Sequence, residues 1–257
     1  MREKYVVANW KMNSSQVFVD NWIATWNQAS PNLKKVRAVL CPPYTYMHSL
    51  IEGLSGSIYL GAQTVSSYDK GSFTGDVSAS MLADIGCGYV IIGHSERRNY
   101  SREMPDDLSS KTNQALISDL IPFVCIGENA EQYQKNLTRP VLFSQMMDIF
   151  VNVDVYSLNR IVIAYEPVWA IGTGHVADPC EVSLLFCDIR KFLHQTFGMP
   201  MKSVSLLYGG SVSPKNVSEF LDRGIIEIDG FLVGSSSLEA TDFIKICEMG
   251  ELAWASC

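Results

Sequence analysis

Hydrophobic positions along the chain fall into two alternating patterns. Short apolar runs rich in β-branched residues cover Lys4 to Asn9, Val36 to Cys41, Ser57 to Gly61, Tyr89 to Gly93, Ile121 to Ile126, Arg160 to Tyr165, Ser203 to Leu207 and Asp229 to Val233. Most are continuous rather than alternating, which is how strands buried on both faces of a parallel sheet read. Between them apolar residues recur at helical spacing. Val19, Trp22, Ile23 and Trp26 form one such stripe, and Val182, Leu185, Phe186 and Ile189 form another after Asp178-Pro179, a cap followed by proline at the first helical position. Ser213-Pro214 predicts a further helix opened the same way, with Val217, Phe220 and Leu221 on one face and Gly224 placed to stop it. The aromatic residues in these stripes read as core packing rather than as a cofactor box.

About eight strand-helix units in 257 residues, with no Pro-, Gly- or Ser-rich linker between them, predict an α/β fold: one (β/α)8 barrel domain over residues 1–257, parallel strands inside and helices outside. Right-handed crossovers then place every strand's C-terminus on one rim, where function should sit. A doubly wound open sheet is the less favoured reading. Its G-x-G-x-x-G fingerprint is absent after the first strand, which runs instead into Asn9-Trp10-Lys11-Met12-Asn13.

Charge and cysteine content narrow the partners. Twenty Lys and Arg against 27 Asp and Glu give a net charge of -7, so no overall basic field exists to attract nucleic acid or an anionic membrane, and any recognition of phosphate must be local. The seven cysteines contain no C-x-x-C pair and do not cluster with histidine, which predicts reduced thiols and no metal site. The segment Met1 to Val7 lacks the apolar run and small-residue cleavage site expected of a leader, and no apolar stretch approaches the ~18 residues needed to span a bilayer. A cytoplasmic protein is the expectation.

The residues immediately after the strands supply the chemistry. They are Asn9 and Lys11, then His94-Ser95-Glu96-Arg97-Arg98, then Glu166, then Tyr208-Gly209-Gly210-Ser211-Val212, then Gly234-Ser235-Ser236. A base, an imidazole, a cation and Gly-rich turns with exposed backbone amides suit proton abstraction beside a carbonyl on an anionic substrate. Pro167 holds Glu166 extended. Val168, Trp169, Ala170 and Ile171 then form an apolar loop between Pro167 and the flexible Gly172-Thr173-Gly174, a segment that reads as a lid. His94 precedes a short helix for which Ser95 is the expected cap. The positive end of that helix disfavours the imidazolium, leaving a neutral ring as hydrogen-bond donor. Two Gly-rich turns on the last two strands can cradle a phosphate without net positive charge.

At this level of detail the sequence resembles the triosephosphate isomerase family along essentially its whole length. The resemblance runs through Asn9 to Asn13, Gly71-Ser-Phe-Thr-Gly75, Ile92 to Arg98, Val124-Cys-Ile-Gly-Glu128, Ala164 to Gly174, Tyr208 to Val212 and Gly230-Phe-Leu-Val-Gly234. It implies a cofactor-free interconversion of dihydroxyacetone phosphate and glyceraldehyde 3-phosphate through an enediolate. It makes Glu166 the base, His94 the electrophile, and Lys11 beside Asn9 the cation. Glu96 would tether Lys11, Cys125 would support the site, and Gly172, Ser211, Gly234 and Ser235 would hold the phosphate. The loop from Thr64 to Ser78 would insert Thr74 into a second copy of the chain, making a homodimer. The sequence departs from the family pattern at Ser235, where glycine is usual and a positive φ would cost a serine about 1 kcal/mol. It also carries Thr64 for Asn, Asp76 for Glu and, at the lid's second hinge, His175 for Lys. Another phosphate-binding barrel, such as an aldolase or a biosynthetic isomerase, would need a Schiff-base lysine inside a strand or a paired acid and base elsewhere, and neither is visible, Lys4 only opening the first strand. A silent homologue acting as a surface or partner-binding protein would have lost one of Lys11, His94 and Glu166, and all are present.

Overall fold

A computed structural model describes residues 2–172, 174–200, 203–222 and 227–255. The strands β1 (Lys4–Asn9), β2 (Val36–Cys41), β3 (Ile58–Ala62), β4 (Tyr89–Ile92), β5 (Ile121–Ile126), β6 (Val162–Tyr165), β7 (Leu206–Tyr208) and β8 (Gly230–Val233) pair in sequence order. Every pair is parallel, and β8 returns to β1 to close the barrel. The fold is thus the expected (β/α)8 barrel.

The continuous apolar runs follow from burial on both faces. In β1, Tyr5 and Val7 point into the lumen with Val39, Tyr89, Ile91 and Phe123, while Val6 and Ala8 point outward into the layer shared with the helices. The lumen changes character along its axis. Aromatic rings fill the N-terminal end, where Tyr89 stacks on Phe123 at 5.4 Å and Tyr5 meets both edge-on. Small side chains, Cys41, Cys125 and Ala164, lie toward the C-terminal end and leave room there for a polar site.

The helix Gln16–Ala29 shows why the first stripe is apolar. Ser15 caps it by accepting the Phe18 N–H, worth about 1 kcal/mol. Val19, Trp22 and Trp26 are buried, the two indoles stacking at 5.6 Å. Trp10, Trp22 and Trp26 all find a backbone acceptor, Ser237 O for the first two and Ser55 O for the third. Asp178 caps the helix Pro179–Phe197 through the N–H groups of Cys180 and Glu181, as expected.

The third, fourth and eighth strands differ from expectation by one residue at one end or both, and three larger expectations need correction. Ser213-Pro214 does not open a helix: the short helix is Val217–Phe220, and Ser213 instead gives its N–H to the Asn216 side chain, closing a turn. Gly224, its expected stop, lies outside the described residues. The sixth strand starts at Val162 rather than Arg160, because Leu158–Arg160 forms a 3-10 turn whose Arg160 guanidinium reaches Leu116 O and Asp119. The seventh starts at Leu206 rather than Ser203, since Ser203 turns back onto Pro200 O and Ser205 gives its hydroxyl to Glu3 O. No helix among the described residues is long and apolar enough to cross a membrane.

Candidate active site

The C-terminal rim opens into a cavity of about 570 Å3 that Asn9, Lys11, His94, Glu166, Ser211 and Gly234 share. Glu166 extends β6 and is almost fully buried. Its N–H donates to Ile126 O at 2.7 Å, an approach so close that a side chain at Gly127 would meet the Glu166 carbonyl oxygen at 1.8 Å. Gly209 lies against the Glu166 Cγ, which a β-carbon there would meet at 3.1 Å. Two glycines on the flanking strands therefore fit the base into the rim.

His94, not Ser95, caps the helix Ser95–Tyr100, which corrects the expected cap. Its Nδ1 accepts the Glu96 N–H at 3.2 Å. An occupied lone pair on Nδ1 leaves the proton of the neutral ring on Nε2, and Nε2 faces Glu166 Oε1 at 3.0 Å. The other carboxylate oxygen accepts the Ser95 N–H at 3.0 Å. His94 and Glu166 are thus held in one hydrogen-bonded unit, with the Glu96 N–H on the other ring nitrogen and the Glu96 carboxylate 3.6 Å from it.

Lys11 occupies a left-handed conformation, φ 54°. Asn9 Oδ1 accepts its N–H at 3.1 Å and Gln63 Nε2 donates to its carbonyl at 2.9 Å. Its ammonium meets Glu96 Oε1 at 2.7 Å, placing the tether where the resemblance puts it. Cys125 is buried beneath Glu166, and burial, with the neighbouring carboxylate, holds its thiol well above the usual range and so protonated. Arg98 ties the ends of β4 and β5 together by donating to Gly93 O and Cys125 O.

Lid residues pack more closely than the sequence suggests. Ala170 is buried and Val168, Trp169 and Ile171 are half-buried, so the apolar loop is already covered rather than exposed to water. Trp169 stacks on Tyr133 at 4.2 Å and donates its indole N–H to Glu128 Oε1 at 2.9 Å, the oxygen that also takes the Tyr165 hydroxyl. Glu128 is itself fully buried, and burial raises its carboxyl above the ordinary range, against the pull of those donors. At the far hinge the Ala177 N–H donates to the Tyr208 hydroxyl at 3.1 Å, and Gly210 must be glycine because a β-carbon would lie 2.2 Å from that hydroxyl. Gly172 and Gly174 have positive φ. Thr173 lies outside the described residues. Ser211 gives its hydroxyl to Ala170 O at 3.0 Å, tying its end of the cavity to the loop after β6.

Gly172, Ser211, Gly234 and Ser235 all line the same cavity. Ser235 opens a 3-10 turn, Ser235–Ser237, and is not among the residues with positive φ, so serine carries no strain there and the expected cost does not arise. Thr74 stands apart on an exposed loop tip, away from this cavity. In that loop Asp76 accepts the Ser66 hydroxyl at 2.7 Å, so the shorter acid is engaged within its own loop, while Arg97 pairs with Glu103. His175 is exposed. Sequence reasoning gave no individual role to Gln63, Glu128 or Tyr208, although Tyr208 stood among the strand-end residues and Glu128 within a motif of the resemblance; only the Gly-Gly after Tyr208 hinted at close packing there.

A family model described as triosephosphate isomerase matches residues 4–250. Relatives named triosephosphate isomerase include one from Endomicrobium trichonymphae, 39% identical over 96% of this chain and 98% of its own length. Others are from Xanthomonas axonopodis pv. citri, 40% identical over 96% and 97%, and from Dictyoglomus thermophilum, 38% identical over 96% and 99%. With the rim geometry and a match over nearly its whole length, the chain belongs to the triosephosphate isomerase family.

Proposed function

We propose that the chain is an active isomerase interconverting dihydroxyacetone phosphate and D-glyceraldehyde 3-phosphate, a step of glycolysis and gluconeogenesis. The observation that carries this reading is the contact between the neutral His94 Nε2 and the Glu166 carboxylate at the mouth of a cavity that also holds the Lys11 ammonium. Substrate entering the cavity takes over the donors that now bind the carboxylate. Glu166 then removes a proton from the carbon beside the carbonyl and returns it to the neighbouring carbon. His94 Nε2–H polarises the carbonyl oxygen and moves the oxygen-bound proton, and Lys11 stabilises the enediolate charge. Asn9 orients Lys11, Glu96 tethers it, and Cys125 supports the floor. The amide of Gly172 and backbone donors at Ser211, Gly234 and Ser235 hold the phosphate. The lid from Pro167 to Gly174 excludes water that would let the enediolate expel it.

The same reading makes the protein a cytoplasmic homodimer, with Thr74 on its projecting loop reaching the partner's site, and gives it no role with nucleic acid or membrane. Glu166→Asp tests the chemistry: withdrawing the carboxylate by roughly 1 Å should lower kcat about 100-fold or more with the fold intact. Unchanged kcat would remove Glu166 from the mechanism. Sedimentation across a dilution series checks the dimer, and a fully active monomer would remove Thr74 from the account.

A further inference from the structure

Lys11 owes its place to its backbone as much as to its side chain. It is a non-glycine residue with φ 54°, a conformation that costs an L-residue about 1 kcal/mol and persists only where surroundings impose it. Two side chains impose it. Asn9 takes the N–H of Lys11 from one side, and from the other the Gln63 amide nitrogen donates to the Lys11 carbonyl at 2.9 Å and to the Cys41 carbonyl at 3.0 Å. Both amide protons of Gln63 are thereby engaged, one on the residue to be held and one on the fixed end of β2. The backbone just before Lys11 is pinned to the same point, since the Trp10 N–H also donates to Cys41 O.

Gln63 is itself well anchored. It follows directly on β3, and the next residue, Thr64, accepts the Tyr44 hydroxyl at its carbonyl and the Lys111 ammonium at its side-chain oxygen. Lys111 in turn shares Glu103 with Arg97, on the helix that also carries Glu96, the tether of the Lys11 ammonium. The clamp on the Lys11 backbone and the tether on its side chain thus stand on one connected frame.

We infer that Gln63 is a positioning residue for the isomerase reaction: by bridging the carbonyls of Lys11 and Cys41 it holds Lys11 in its left-handed conformation and so aims the ammonium into the cavity. Without the clamp, Lys11 relaxes toward negative φ and its ammonium leaves the mouth. The inference rests on the catalytic role proposed above for Lys11.

A double-mutant cycle tests it, because two residues that act through one another lose less together than the sum of their separate losses. Gln63→Met keeps the length of the side chain and removes both donors. It should lower kcat/KM about tenfold, the scale of a lost hydrogen bond that orients a charged group, with the loss falling partly on KM because the same ammonium meets the ground-state anion. In Lys11→Met the added Gln63→Met change should have almost no effect. Gln63→Asn, which keeps the donor but is too short to reach both carbonyls, should fall between wild type and Gln63→Met, and it takes the place of Gln63→Met in the cycle if that variant does not fold. Kinetics within twofold of wild type, or losses that simply add in the double variant, overturn the role of Gln63. A Lys11→Met protein with wild-type activity instead overturns the assignment of Lys11 itself, so the two failures are told apart.

Discussion

At the N-terminal end of the barrel, Asp229 is fully buried just before β8 and accepts from Arg2, Lys4, Arg190 and the Leu206 N–H. At the other end Glu166, nearly as buried, accepts from the His94 ring and the Ser95 N–H with the Cys125 thiol against it and no cation paired with it among the described residues, and beside it lies an open cavity. A carboxylate offers about four lone-pair sites. Around Asp229 they are filled, three of them by cations, and Glu227 adds a further partner for Arg190. Glu166 has partners that it can exchange. The difference teaches how one fold uses buried charge in two ways: a saturated cluster locks strand ends together, whereas an under-saturated one beside a cavity can hand its hydrogen bonds to a substrate.

This contrast can be broken from either end. Replacing His94 with Gln removes a ring that must both donate and move a proton, and should cost about 100-fold in kcat with little change in Tm. A large fall in Tm would mean that the rim is as structural as the base of the barrel. Asp229→Ala should do the reverse. Taking the buried carboxylate from Arg2, Lys4 and Arg190, and leaving Arg190 to Glu227 alone, should destabilise the protein by about 3 kcal/mol, read from chemical denaturation, while kcat of the folded fraction stays near wild type. A loss of kcat without loss of stability would erase the distinction between the two ends.

A smaller effect sharpens the comparison at the lid. Burial raises the Glu128 carboxyl in the folded state above its unfolded value. The folded chain then binds that proton more tightly than the unfolded one, so the contribution is fully present below the ordinary carboxylate pKa and is lost as pH rises through the raised value. Glu128→Gln should remove that part of the pH dependence, leaving denaturation midpoints flatter across the window just above the ordinary carboxylate range. An unchanged slope would mean that Glu128 does not titrate as its burial demands.

The sequence showed the barrel clearly because strands buried on both faces are apolar throughout and the helices between them are strongly striped. Its errors were local. Ser213-Pro214 has the chemistry of a helix start but is spent on a turn, and the expected first residues of β6 and β7 make turns and side-chain contacts outside the ladder. Asn9, Lys11, His94 and Glu166 were legible because each ends a strand or stands within two residues of its end, so position alone brings them to one rim. Gln63, Glu128 and Tyr208 were not, because each acts through a contact distant in sequence: with Lys11, Trp169 and Ala177 respectively. Serine at position 235 looked costly only because the sequence does not carry φ, and the turn it opens needs no glycine.

The central claim is that Glu166 carries a proton between neighbouring carbons of the substrate. A carboxylic acid formed at Glu166 exchanges with solvent whenever the lid opens before the proton is returned, so the claim is tested most directly by running the reaction in D2O and locating deuterium in the product. The account predicts deuterium on the carbon that receives the proton. Product free of deuterium on carbon, and formed as fast by Glu166→Gln as by the wild type, would mean that hydrogen passes directly between the carbons without the carboxylate, and would contradict it.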